Sequence, residues 1–146
     1  MLDPDFQQLA LQLHVFSTLF MTGVIWFMQV IYYPSFRILD TDRISQATQL
    51  YRQRAAWVIM PVMLVEMSTG ILLMSSSWVT QYGKSLVANL AILFLIWGIT
   101  LVKMSPLHSR LSSEMEEGTI QSLISTNGLR TVLWTARSIL LLSFLG

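Results

Sequence analysis

The chain has 146 residues, of which 53% are hydrophobic and 12% charged, with a net charge of +1 and no cysteine. Soluble domains carry charge at roughly 25% of positions, so this chain lacks the polar surface that water demands and reads as an integral membrane protein. The same numbers exclude a disulfide scaffold, thiol catalysis and a disordered chain, and the near-neutral charge leaves nucleic acid out as a partner.

Four apolar segments approach the ~20 residues that a helix needs to cross the hydrocarbon core. The first covers about 9–32 and holds no formal charge. Asp3 and Asp5 stand where a cleavable signal carries positive charge, so this segment is expected to stay as a spanning helix that stops at Pro34. Over 42–54, Ile44, Ala47, Leu50 and Tyr51 recur at helical spacing. That pattern suits an amphipathic stretch on the membrane surface or an extension of the second helix. The second span covers about 56–76, with Glu66 as its one charge and Pro61 expected to kink it near Trp57. The third, about 86–102, is closed by Pro106. A second amphipathic segment, 107–124, carries Glu114, Glu116 and Glu117 and a break near Gly118. Asn127-Gly128 then reads as a helix stop before the fourth span, about 130–145, which contains Arg137.

Arg37, Arg43, Arg52, Arg54, Lys103, Arg110 and Arg130 place seven of the nine basic residues in the two connections on one face. The positive-inside bias puts that face in the cytoplasm and both termini outside. Tyr32, Tyr33 and Trp57 at the cytoplasmic edge, with Trp78 and Tyr82 at the outer edge, fit interfacial anchors. The expected fold is an all-α, four-helix transmembrane bundle, N-out and C-out, forming one domain over 1–146.

A charge at the bilayer centre costs roughly 2.5–3.5 kcal/mol on insertion scales. Glu66 and Arg137 fall at similar depth and have an obvious remedy in each other. On helix one, His14, Thr18, Thr22 and Gln29 lie within about 80° of one another and share an inward face. Asn89 falls near the level of His14. Arg130, Trp134 and Arg137, at spacings of four and three, form a face suited to an anionic headgroup or a carboxylate. The candidate ligand-binding set is therefore His14, Thr22, Gln29, Glu66, Asn89, Trp134 and Arg137. Each has a structural alternative as interhelical hydrogen-bonding or packing.

Metal ligands are scarce. His14 and His108 are the only histidines, on opposite sides of the membrane centre, so no metal site is expected unless His14 serves a haem, with methionine as the other axial ligand. No phosphate-binding loop, dinucleotide fingerprint or nucleophile elbow occurs.

His14, the run Gly23-x-x-Trp26-x-x-Gln29 leading to Tyr33-Pro34, Pro61 with Glu66, Pro106-x-His108 and Asn127-x-x-Arg130-Thr131-x-x-Trp134-x-x-Arg137 cover most of the chain. Together they resemble a family of small bacterial four-helix membrane proteins of uncharacterised activity. That resemblance implies the bundle and this residue set, and no reaction. The Leu13-His14 opening of helix one, the chain length, and a Trp ahead of a Tyr and Pro are similar to the bacterial four-helix protoporphyrinogen oxidases. This second similarity implies haem-associated redox chemistry with His14 as the ligand.

The expected function is an intramembrane site for a lipophilic or anionic ligand (a haem, a quinone or a lipid) in the bacterial inner membrane. The competing reading is an accessory subunit of a larger membrane complex, or a homo-oligomer. A small transporter is less favoured, because no inverted repeat is visible.

Overall fold

The computed structural model describes residues 3–38, 40–113 and 117–143; Glu114 and Glu116, two of the acidic residues noted in the sequence, lie outside them. These residues are helical almost throughout, with no strand among them. The long helices are α1 (Pro4–Phe27), α3 (Thr41–Leu73), α4 (Trp78–Ile99) and α6 (Glu117–Leu142), and the short helices α2 (Tyr33–Ser35) and α5 (Ser105–Ser113) follow α1 and α4.

Local chemistry explains the helix ends. Asp3 caps α1, its carboxylate accepting from the amides of Asp5 (3.0 Å) and Phe6 (3.3 Å), with Pro4 in the first turn. The stops expected at Pro34 and Pro106 do not occur. A π turn, Met28–Tyr32, precedes Pro34, and a second, Thr100–Met104, precedes Pro106. Proline lacks an amide and crowds the carbonyl four residues back. The wider turn relieves that crowding, as the amides of Tyr33 and Ser105 reach back to the Met28 and Thr100 carbonyls.

The 42–54 stretch is an extension of the second helix: α3 is one helix of 33 residues that passes through Pro61. Ile44 and Thr48 turn inward along it, whereas Leu50 is half exposed, so the buried face is shifted from the expected one. Asn127-Gly128 is no stop either. Both lie inside α6, where the Asn127 amide donates to Gln29 Oε1 (2.9 Å) on the rod beginning with α1. That bond gives the asparagine a partner outside its own backbone, removing its incentive to break the helix.

The helices close a ring in which α1 packs on α3 and α6, and α4 packs on the same two. Pairs α1/α4 and α3/α6 therefore face each other across the diagonals. At the closed end, Gln7 Oε1 accepts from both the amide and hydroxyl of Ser77 at 2.8 Å, fastening the short 74–77 connection to α1.

The core is layered. Ala10, Leu11, Leu73, Leu86 and Leu141 form one apolar layer, and Met21, Ile25, Met63, Ile96 and Trp134 form the next. A third, toward α5, gathers Met28, Tyr33, Phe36, Ile44, Met104 and Leu123. Tyr33 is thus a core residue, 1% exposed, and not the interfacial anchor its position suggested.

Three stretches, Pro4–Ile38, Arg43–Leu73 and Trp78–Leu111, are long and apolar enough to cross a membrane. The fourth helix is less apolar because its inward face carries Asn127, Arg130, Thr131, Arg137 and Ser138. Its outward face is apolar, with Leu129, Val132, Ile139 and Leu142 all exposed.

Candidate functional site

Between the first two apolar layers lies a polar one, to which every long helix contributes. Helical spacing builds it: Glu66 and Thr69 on α3, Trp134 and Arg137 on α6, and His14 and Thr18 on α1 each sit three or four residues apart and share a face. Asn89 comes from α4. None of these side chains is more than 5% exposed.

Arg137 is the hub. Its Nη1 donates to Glu66 Oε1, its Nε and Nη2 donate to Asn89 Oδ1 at 3.1 and 3.0 Å, and Nη2 reaches Thr18 Oγ1 at 3.5 Å. The Trp134 indole donates to the same Glu66 oxygen at 3.2 Å. The carboxylate anticipated for the Arg–Trp face is therefore the protein's own. Glu66 Oε2 is buried and has no hydrogen-bond partner among the described residues.

His14 is held on both sides. Nδ1 lies 3.0 Å from the Glu66 carbonyl and from Thr69 Oγ1, and Nε2 lies 3.3 Å from Asn89 Oδ1. Arginine has donors only, so Asn89 must turn Oδ1 toward Arg137, while its amide donates to the Arg137 carbonyl at 3.2 Å. Gly70 completes the fit, because a Cβ there would come within 3.0 Å of His14 Cε1. An iron at His14 would have to displace Asn89 or Thr69 and open this packing, so the residues do not fit a haem at that position.

Of the candidate set, His14, Glu66, Asn89, Trp134 and Arg137 come together. Gln29 does not join them, and Thr22 meets them through the backbone, its hydroxyl lying 3.3 Å from the Trp134 carbonyl. Thr22 bonds the Thr18 carbonyl and Ser138 Oγ, both at 2.8 Å, and ties α1 to α6. Gln29 lies farther along and pairs with Asn127. Thr69 was missed, although its spacing of three from Glu66 marked it. The hydrogen bond between Tyr33 Oη and His108 Nε2 (3.0 Å) was also missed, since neither residue carries a formal charge whose burial would demand a partner.

A cavity of about 150 Å³ opens on the α5 side of the polar layer. Its walls are Ala55, Ala56, Ile59, Met60 and Met63 from α3 with Met104, and its polar lining is Thr100, Ser105, His108 and Arg130. Ala56 and Met60 at its edge are exposed, while Arg130 is only 6% exposed. The Arg130 guanidinium lies 5.2 Å from the Trp134 ring centroid and donates to Asn127 Oδ1 at 3.4 Å. Arg130, expected as a surface anchor, is thus an interior cation beside an apolar cavity.

Comparison with known protein families, curated proteins and solved structures found no match. The functional reading accordingly rests on the site.

Proposed function

We propose that the chain is a multi-pass protein of the bacterial inner membrane that binds a lipophile with a small, oxygen-bearing ring as its head, of which a quinone is the simplest case. Apolar exteriors around a polar interior support the membrane reading, because Arg137 and Glu66 are enclosed while Phe16, Val30, Leu101 and Ile139 face outward. In this frame α6 is the fourth span, with Arg137 paired to Glu66 inside the bundle. The basic loops support a cytoplasmic position for the α5 side.

The observation that carries the ligand reading is Arg130, buried at the side of a largely apolar cavity. A cavity of ~150 Å³ accommodates one six-membered ring, which selects a ring head over a haem. Arg130 and Ser105 supply donors for a carbonyl oxygen, while the Thr100 hydroxyl donates to the Ile96 carbonyl at 2.7 Å, and the exposed edge at Ala56 and Met60 leaves a tail free to run into lipid. The polar layer behind the cavity holds the four helices in register and has its own hydrogen bonds to keep it rigid.

The test is extraction of protein purified gently from its native membrane, followed by mass spectrometry of bound lipophiles. A quinone or similar ring lipophile should be recovered near one per chain. Arg130→Gln and the cavity-filling Ala56→Trp should both lose it, with the fold retained by circular dichroism. Recovery of no ring lipophile, together with stoichiometric co-purification of a larger complex, would replace this reading with the accessory-subunit one.

A further inference from the structure

The helical walls of the ring cavity can be followed one turn further into the bundle. On α3, Ile59 and Met63 line the cavity, and Glu66 stands next on the same face at a spacing of three. On the rod of α4 and α5, Thr100, Met104 and His108 line it, and Trp97 stands three residues before Thr100. Each of these next residues holds a buried polar atom without a hydrogen-bond partner among the described residues: Oε2 of Glu66 and Nε1 of Trp97. Both border one apolar layer. Trp97 packs against the cluster that holds Met63, Ile96 and Trp134, and Glu66 accepts from the Trp134 indole through its other oxygen. Joined by the short 74–77 connection, α3 and α4 run in opposite directions, and helical side chains lean toward the N-terminus of their own helix. Glu66 therefore leans toward the cavity and Trp97 toward the polar layer, which closes the height between them.

The two atoms are complementary to a single chemical group. Glu66, the ion-pair partner of Arg137, is a carboxylate and only accepts, whereas an indole only donates. A hydroxyl satisfies both, giving its proton to Oε2 and accepting the one on Nε1. A carbonyl oxygen satisfies the indole alone and sets a second acceptor against the carboxylate, leaving a buried charged oxygen unmatched at a cost. We propose that this pair forms the inner end of the ring site and selects a head that ends in a hydroxyl, a hydroquinone or a phenol, over the corresponding quinone. The proposal rests on the ring-lipophile reading and adds which form of the ring is bound. Met63 belongs both to the cavity wall and to the layer on which Trp97 packs. Its unbranched side chain repacks around a ring more readily than a branched one. Water offers the same O–H chemistry, but a water between Glu66 and the ring serves a carbonyl as well as a hydroxyl and confers no preference.

The experiment uses the full chain in neutral detergent, stripped of bound lipophiles and titrated by calorimetry. The probes are decylbenzohydroquinone, decylbenzoquinone and the dimethyl ether of the hydroquinone. The chain has no cysteine, so the reductant that maintains the hydroquinone leaves its side chains unchanged. The hydroquinone should bind about tenfold more tightly than the quinone, the worth of one hydrogen bond to a charged group. The ether, with no proton to give, should bind no better than the quinone. Trp97→Phe removes the indole donor, so both forms should bind more weakly by roughly two- to tenfold, with the preference retained. Glu66→Gln replaces the carboxylate by an amide that can donate, and should turn the preference toward the quinone. Combining it with Arg137→Met carries the same test where the single change does not fold. Arg130→Gln should weaken both forms and leave their ratio unchanged. Equal affinity for the two forms, as an intervening water would give, or tighter binding of the quinone would overturn this proposal and leave the ring site standing. Unaltered affinities in Trp97→Phe would also overturn it. Absence of binding by every probe would overturn the ring-lipophile reading itself, and this proposal with it.

Discussion

Glu66 on α3 and Arg137 on α6 join across a diagonal of the bundle, and neither side chain is exposed. His14 and Asn89 meet across the other diagonal, from α1 and α4. Asn89 belongs to both contacts, since its Oδ1 also takes two bonds from Arg137. Apolar layers tolerate a helix sliding by a turn better than this arrangement does, because a slide separates donors from acceptors that have no water to replace them. The crossed contacts therefore set the register of the four helices.

Removing one member of the charged pair leaves the other enclosed and uncompensated, an effect of about 3–5 kcal/mol for a fully buried pair. Glu66→Gln and Arg137→Met should each lower stability by that order in a detergent unfolding titration. The double variant should lose less than the sum of the two. Strict additivity in this cycle would show that the two groups do not interact.

The legible part of this molecule was set by spacing and hydropathy. Continuous apolar runs announced the helices, and the positions of two isolated charges at matching depth announced that Glu66 and Arg137 would meet. The helix ends were less legible, for a physical reason. Pro34, Pro106 and Asn127-Gly128 are stop signals in an isolated helix. Here tertiary contacts and π turns satisfy the backbone beyond them, and the helices continue. His14 fell where depth and face placed it, but the Arg130 cavity was out of reach. Its walls come from α3, α5 and α6 together with the second π turn, and no local pattern encodes their convergence.

Tyr33 and His108 should be coupled. Their hydrogen bond joins α2 to α5, and their rings lie 5.9 Å apart. Tyr33→Phe keeps the ring in the Tyr32–Phe36 aromatic cluster and removes only the hydroxyl. A loss of about 0.5–1.5 kcal/mol is expected. In a His108→Ala background the same change should be nearly neutral, and an undiminished effect there would sink the coupling.

Topology can be read with reporters. Fusions within 112–121 should behave as cytoplasmic and fusions after Gly146 as external, because seven of nine basic residues lie in the connections on one face. An external signal from 112–121 would reverse the bundle and place Lys103 and Arg110 at the outer leaflet.

Gly70 gives the sharpest test of how His14 is held. Replacing a glycine inside a helix by alanine ordinarily stabilises it by roughly 0.5–1 kcal/mol, because the backbone has less freedom to lose. At position 70 the added Cβ would lie 3.0 Å from His14 Cε1 and 3.3 Å from Leu90 Cδ1. The Leu90 methyl sits at the end of a flexible side chain and can turn away. The imidazole cannot, since Thr69 and the Glu66 carbonyl hold one nitrogen and Asn89 holds the other. Overpacking of this kind costs about 1–3 kcal/mol, so the steric term should outweigh the helical gain. Gly70→Ala is expected to lower the melting temperature of the wild-type chain. With His14→Ala already in place the clash is gone and only the helical gain remains, so the same substitution should raise it. A rise in both backgrounds would mean that the His14 ring moves freely against α3, and the rigid polar layer would have to be given up.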